Sequence, residues 1–250
     1  MKIKKSRRSR KFFWRRLGVA TLILATLGFC LHQVQKQVEE TSVSVTVAEI
    51  ASPLAMKGGD PYIRALMRTI SASESNVDKP YHVLYGGRYV TDLSNHPDQC
   101  VRIVSGPNRG NCSTAAGRYQ MLSSTWKEMA KRYHPALAPL FFWQSYSFAP
   151  EYQDAVVYAW LKDGKYWKTD ISEQLQQGKL DQVLRLLSGT WTSLGYGIET
   201  NSISASLPQL YQEFLAQELR ELSEQGSFRS RGAFGAGELS EQGSRGAGEQ

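Results

Sequence analysis

The chain has 250 residues, enough for one domain of ordinary size with tails or for two small domains. A formal net charge of +7 suggests nucleic-acid binding, but nine of the 30 basic residues lie in the first sixteen positions, with no acidic residue among them. From residue 17 onward acidic residues outnumber basic ones by 23 to 21, so the charge distribution argues against a nucleic-acid partner for the globular part.

An apolar segment follows the basic arm of residues 1–16. Residues 17–31 carry no charge, and as a helix they would span about 22 Å, short of the roughly 30 Å hydrocarbon core of a bilayer. Flanking aromatic residues and snorkelling arginines can lengthen the span, so residues 17–32 are either a signal-peptide core or an uncleaved signal anchor. No small-x-small cleavage site follows Leu31, which favours the transmembrane anchor. The positive-inside rule then places the arm in the cytoplasm and the later residues on the periplasmic side of the inner membrane.

Residues 33–59 are polar and predict a stalk, and a globular domain is predicted over residues 60–220. Its first helix begins with Asp60 as N-cap and Pro61 at the first helical position. Apolar residues then recur at the i, i+3, i+4, i+7 spacing of one helix face: Ile63, Leu66, Met67 and Ile70.

Glu74 continues this apolar stripe at the C-terminal end of the helix. We expect partial desolvation and the negative helix end to raise its pKa. A carboxylic acid that is still protonated near neutral pH can donate a proton to a leaving oxygen. The alternative is a structural glutamate that pairs with a neighbouring arginine or caps another element.

Strand patterns follow this helix, and helical patterns then return. Residues 81–85 and 88–91 flank Gly86 and Gly87, a two-residue hairpin signal, and residues 101–104 offer a third strand. Later helices are predicted after Ser123 or Ser124, from Pro150 to a stop at Gly164, after Asp170, over 180–187 and over about 207–219. The order of elements predicts an α+β domain that is mostly helical with a small antiparallel hairpin sheet.

Cys100 and Cys112 flank a short loop that is rich in turn residues. In an oxidising compartment this pair would close as a disulfide that contributes about 3 kcal/mol by restricting the unfolded chain. The alternatives are two free thiols or metal ligands, but neither C-x-x-C nor H-x-x-H spacing accompanies them, and no metal site is expected. From residue 221 the composition changes, and the segment ELSEQGS occurs twice, which predicts a disordered low-complexity tail over 221–250.

Five blocks in order resemble the phage lambda endolysin family of lytic transglycosylases, within the lysozyme-like superfamily. They are SASESN, YGGRYVTDLSNHP, STAAGRYQMLSSTW, FAPEYQDAV and GTWTSLGYG, and the resemblance covers residues 61–219. It implies a lysozyme-like fold and Glu74 as the single catalytic glutamate. It also implies that the GRYQ block, with Tyr119 and Gln120, forms part of the wall of a sugar-binding cleft.

Further site residues follow from the same resemblance: Asp92, with His96 and Pro97, matches the TD-x-S-x-HP block, and Trp191 and Tyr196 match the last block. Each residue also has a structural interpretation. Tyr119, Trp191 and Tyr196 are typical core residues, Gln120 can tie the sheet to a helix instead of binding an acetamido group, and Asp92 and Asp98 are typical turn residues.

Lytic transglycosylases cleave peptidoglycan between N-acetylmuramic acid and N-acetylglucosamine and form 1,6-anhydromuramoyl ends. The resemblance therefore implies this activity with Glu74 as general acid and base, no cofactor, and glycan strands as partner. The protein would act as a monomer or within an envelope complex. The alternatives are a hydrolytic lysozyme, with Asp92 or Asp98 as second carboxylate, and a non-catalytic peptidoglycan-binding scaffold.

Overall fold

The computed structural model describes residues 52–106, 108–135, 146–196 and 203–224, together with Gln33. Within these residues, the longer elements are connected by three short 3₁₀ helices, Pro80–His82, Thr192–Leu194 and Ser204–Ser206. The same part of the chain holds one two-stranded antiparallel sheet, which pairs β1 (Val101–Arg102) with β2 (Cys112–Ser113). The helices are α1 (Pro61–Glu74), α2 (Ser123–Tyr133), α3 (Pro150–Lys162), α4 (Gly164–Trp167), α5 (Ile171–Gln176), α6 (Leu180–Leu187) and α7 (207–224).

The central element is α1, which begins as predicted. The side chain of Asp60 accepts a hydrogen bond from the backbone N–H of Tyr62 over 3.0 Å, and Pro61 is the first helical residue. Every residue from Ile63 to Ala72 is buried, so the helix is enclosed on all sides and not only along the predicted stripe. It packs against α3, α5 and the 3₁₀ helix Thr192–Leu194.

A buried ion-pair cluster joins α1 to α7. Arg64 and Arg68 both donate hydrogen bonds to the carboxylate of Glu218, the second over 3.2 Å, and all three side chains are at least nine-tenths buried. The guanidinium of Arg68 also lies 4.6 Å from the ring centre of Phe214.

The last helix extends past Leu219, where the prediction ended it, and residues 221–224 are helical instead of part of the tail.

The predicted hairpin is only partly correct. Gly86 and Gly87 both adopt positive φ, +80° and +86°, as a tight turn between strands requires, but a single bridge between Val83 and Tyr89 flanks them. Residues 80–82 are a 3₁₀ helix instead of strand. The regular sheet forms around the cysteine loop, because the strand that was predicted at 101–104 finds its partner at Cys112–Ser113.

The later helices agree with the prediction apart from two ends. The N–H of Ser123 donates to the side-chain oxygen of Thr114 over 3.1 Å, so α2 is capped by a residue nine positions upstream and not by its own serines. Gly164 does not end α3 but begins α4, which Asp163 caps. Asp170 caps α5 as predicted, and α6 covers residues 180–187.

Residues 52–59, predicted as the end of the stalk, are packed into the domain. The backbone N–H groups of Ala55 and Met56 donate to Asp154, and Leu54 is buried. No helix within the described part of the chain is long and apolar enough to cross a membrane. The predicted anchor at 17–32, the rest of the predicted stalk apart from Gln33, and residues 225–250 of the predicted tail lie outside the described residues.

Candidate active site

Glu74 is the last residue of α1 and is half-buried. Because the rest of the helix is fixed in the core, this end places the carboxyl group at a defined point of the surface. The hydroxyl of Ser193 donates a hydrogen bond to Oε1 of Glu74 over 2.5 Å. The hydroxyl of Ser73 contacts that of Ser193, so three polar side chains converge at the end of the helix.

Glu74 opens into a cleft of about 1010 Å³. The lining of this cleft includes the turn at Gly86 and Gly87 and the cysteine loop, with Asn108 and Asn111. Residues 190–193 also line it. Of the described residues that line the cleft, Glu74 is the only carboxylate and none is cationic. The lining is therefore a mixture of apolar groups, hydroxyls and amides, which suits a neutral, hydroxyl-rich ligand.

The disulfide fixes the loop wall of the cleft. Cys100 and Cys112 are bonded, with their Cα atoms 5.3 Å apart. Within the loop, the N–H of Ile103 donates to the carbonyl of Asn111, and the N–H of Gly110 donates back to the carbonyl of Ile103, over 2.8 and 2.9 Å. The covalent bond and this local pairing restrict the conformation of the loop that forms this wall.

Most of the GRYQ block lies behind the cleft instead of facing it. Arg118 is fully buried and Tyr119 nearly so, and the Tyr119 hydroxyl donates to Oδ1 of Asp154 over 2.6 Å. Gly117 has φ +73°, and a Cβ atom there would lie 2.7 Å from the ring of Phe148 and closer still to the side-chain oxygen of Gln153. The block is thus a tightly packed support, and Tyr119 has the core role that was its structural interpretation.

Gln120 and Trp191 do line the cleft. The side-chain nitrogen of Gln120 donates to the backbone carbonyls of Val83 and Gly117, over 3.2 and 3.0 Å, so it ties the turn to the GRYQ block. This leaves its side-chain oxygen, not its nitrogen, as the group to contact a ligand. Trp191 is 3% exposed and donates from its indole to the carbonyl of Tyr119 over 3.0 Å, so it is mainly a packing residue.

Asp92, Asp98 and Tyr196 are not brought to the cleft. Asp92 is exposed, accepts the N–H of Ser94 over 2.9 Å, and lines a separate pocket of about 400 Å³; hydrogen bonds from Ser94 lower its pKa. Asp98 is exposed and adopts φ +47° in irregular backbone. The Tyr196 ring lies 4.7 Å from the guanidinium of Arg185, on α6.

Ser193 and Ser73 are the site residues that sequence reasoning missed. Both lie in blocks that carried the resemblance: Ser193 is two positions after Trp191, and Ser73 is one position before Glu74. Serines are common in turns and helix ends, so their type alone carried no signal. Only the fold shows that residues 119 positions apart in the sequence share a hydrogen bond.

A buried polar network supports the cleft from behind. Nη1 of Arg118 donates to the hydroxyl of Tyr81 over 2.9 Å, and that hydroxyl donates to Oδ2 of Asp154 over 2.7 Å. Burial, and then the nearby Asp154 carboxylate, raise the pKa of Tyr81 and of Tyr119, so both phenols stay protonated. The carbonyl of Arg118 accepts from the Ser75 hydroxyl over 2.7 Å, which connects this network to the residue next to Glu74.

The fold and the site define a mostly helical domain that presents one glutamate, from the end of its central helix, in an open cleft. A family model described as "Endolysin" matches residues 64–218, more than half of the chain. The chain therefore belongs to the endolysin family, as the ordered sequence blocks predicted. Among the described residues, no cluster of three or more His, Cys, Asp or Glu side chains could hold a metal ion.

One relative and two solved structures to which the chain is similar come from phage lambda. The endolysin of Escherichia phage lambda is 32% identical over 120 residues, 47% of this chain and 64% of that protein, so the match spans just under two thirds of the relative's length. Two solved structures of the bacteriophage lambda lysozyme, one complexed with a chitohexasaccharide, are 28% and 26% identical. Each match covers 64% of this chain and 97% of the other, with TM-scores of 0.47 and 0.46.

Proposed function

We propose that the protein is a peptidoglycan-cleaving glycosidase and, more narrowly, a lytic transglycosylase with Glu74 as general acid and base. The main support for this proposal is that the described residues lining the cleft include a single carboxylate, Glu74. Hydrolytic glycosidases use two carboxyl groups on opposite faces of the scissile bond. A reaction in which the substrate supplies its own nucleophile needs only one.

The proposed reaction is an internal displacement at the muramoyl anomeric carbon. Glu74 gives its proton to the oxygen that links N-acetylmuramic acid to N-acetylglucosamine, and the bond from the anomeric carbon to that oxygen breaks. The muramoyl 6-hydroxyl oxygen then bonds to the same carbon, and its proton returns to the Glu74 carboxylate. The products are a free N-acetylglucosamine 4-hydroxyl and a 1,6-anhydromuramoyl end, and the enzyme regains its acid form.

Proximity replaces the missing second group. The 6-hydroxyl is part of the reacting sugar, so its attack is intramolecular and gains the large effective concentration of a well-oriented neighbour. The endolysin family membership and the position of Glu74 support this proposal. The hydrolytic alternative is less favoured because neither Asp92 nor Asp98 lines the cleft.

Product analysis tests the proposal. The purified full-length chain is incubated with peptidoglycan sacculi, and soluble fragments are identified by mass spectrometry, with Glu74→Gln as the matched inactive variant. We expect anhydromuramoyl ends, lighter by one water than reducing ends, and no fragments from the variant. Reducing muramoyl ends would instead identify a hydrolytic lysozyme, and binding without release of fragments would identify a scaffold.

We also propose that residues 17–32 anchor the protein in the inner membrane, with the domain in the periplasm. The uncharged segment after a basic arm supports this orientation, and the disulfide supports an oxidising compartment. Protease treatment of intact cells and of spheroplasts, followed by detection of the domain, tests the orientation. Protection of the domain in spheroplasts would contradict it.

A further inference from the structure

The proposed reaction does not explain why Ser193 contacts Glu74. Its hydroxyl donates to Oε1 of Glu74 over 2.5 Å and lies at the wall of the cleft. We propose that Ser193 is a positioning residue that fixes the orientation of the Glu74 carboxyl group for proton transfer. This inference rests on the proposed function, since it concerns the step that Glu74 performs.

The direction of the hydrogen bonds follows from the chemistry of the groups. A carboxylate can only accept, so Ser193 must use its one hydroxyl hydrogen on Glu74. The contact between the hydroxyls of Ser193 and Ser73 then requires Ser73 to be the donor. The three side chains form a chain of donors that ends on Oε1.

The same contact persists when Glu74 carries its proton on Oε2. Oε1 is then a carbonyl oxygen that still accepts the hydroxyl hydrogen of Ser193, and the acidic proton on Oε2 stays available for the leaving oxygen. The contact with Ser193 is therefore available in both protonation states. A group that releases a proton and takes one back within a turnover needs an orientation that does not change between those states.

The backbone around Ser193 is itself fixed. The residue lies in the middle of the 3₁₀ helix Thr192–Leu194, and its carbonyl accepts the hydroxyl of Ser204 over 3.0 Å. On either side Trp191 and Leu194 are buried. Because the hydroxyl is held in place before substrate arrives, orienting Glu74 costs little conformational entropy during the reaction.

Three variants of the full-length chain test this role on soluble glycan strands of defined length. Ser193→Ala removes the donor, Ser193→Thr keeps a hydroxyl, and Ser188→Ala is the matched control. Ser188 is a buried serine at the end of α6 whose hydroxyl donates to the Arg185 carbonyl over 2.7 Å, away from the cleft. Initial rates give kcat and KM, and thermal unfolding reports the fold.

We expect Ser193→Ala to lower kcat about tenfold to a hundredfold, the worth of a hydrogen bond to a charged group. KM should stay within about twofold of the parent value, because orientation of the acid matters in the transition state and not in binding. Ser193→Thr should recover most of the lost kcat. The melting temperatures of both Ser193 variants should match the parent, since Ser193 is half-buried at a cleft where water can replace its hydroxyl.

The inference is wrong if Ser193→Ala retains a kcat within about twofold of the parent, a loss too small for a hydrogen bond to a charged group. It is equally contradicted if only KM rises, which would make Ser193 a sugar-binding residue, or if Ser193→Thr is as impaired as Ser193→Ala. A parent chain that releases no fragments, or an active Glu74→Gln variant, contradicts the proposed function and this inference with it. An inactive Glu74→Gln beside a fully active Ser193→Ala overturns the inference alone.

Discussion

Asp154→Asn tests whether the buried network behind the cleft holds the domain together. The carboxylate has no exposed surface and accepts four hydrogen bonds: from the hydroxyls of Tyr81 and Tyr119, and from the backbone N–H groups of Ala55 and Met56. An asparagine of the same shape has one acceptor oxygen. In the better of its two orientations, the asparagine oxygen takes the place of Oδ2 of Asp154 and keeps the three donors there. The amide nitrogen then faces the Tyr119 hydroxyl.

The magnitude follows from the charge that is lost. A hydrogen bond to a charged group contributes about 1 kcal/mol more than a neutral one, so four bonds lose about 4 kcal/mol. For a domain of this size the melting temperature should fall by about 8–16 °C.

Urea unfolding followed by tryptophan fluorescence measures this loss, with Asp92→Asn as control. Asp92 is exposed and accepts a local hydrogen bond from the N–H of Ser94, so its change should stay within about 0.5 kcal/mol. Hydrogen exchange gives a second readout, because Ala55 and Met56 lose the charged acceptor of their amide protons. A loss below about 1 kcal/mol with unchanged protection of these two amides would refute the reasoning.

Three further predictions concern stability, each measured by urea unfolding. Burial lowers the pKa of His96, whose Nδ1 accepts the backbone N–H of Asp98 and whose Nε2 faces the Met121 carbonyl. The contribution of His96 to the free energy of unfolding is present above its ordinary pKa of 6.5 and is lost as pH falls through the lowered pKa. His96→Gln should therefore flatten the decline of the free energy of unfolding at acidic pH. Glu218→Gln should cost about 3–5 kcal/mol, because two buried guanidinium groups lose their carboxylate, whereas Glu128→Gln in the exposed pair with Arg132 should cost under about 0.5 kcal/mol. Replacing Cys100 and Cys112 by serine should cost about 3 kcal/mol, and reduced parent protein should match that variant; equal midpoints with and without reductant would contradict this.

The local patterns of the sequence were sufficient for the helices. The helix starts at Asp60 and Asp170 and the helix over residues 180–187 depend on neighbours within four positions, and all three agree with the structure. Glu74 could be placed on the inner side of a helix end for the same reason. The five ordered blocks then gave the family, which no single block could have done.

The sheet and much of the site depend on distant partners. Leu84 pairs with Ala116 and Val101 with Ser113, and nothing in the alternation around Gly86 indicates those partners. Tyr119 was assigned to the cleft wall, but its hydroxyl meets a buried carboxylate 35 residues later, which directs the ring inward. Ser193 is the opposite case: it was not predicted as a site residue, and its role becomes visible only because the fold places it beside Glu74.

The docking of residues 52–59 has a mechanical consequence. Arg118 donates hydrogen bonds to the carbonyls of Ser52 and Pro53, and Asp154 accepts hydrogen bonds from the two amides that follow Leu54. A force exerted through the upstream chain would therefore act on these charged hydrogen bonds before it reaches α1. The backbone carbonyl of Arg118 also accepts the hydroxyl of Ser75, the residue next to Glu74, so such a force would act on a residue that supports the C-terminal end of α1.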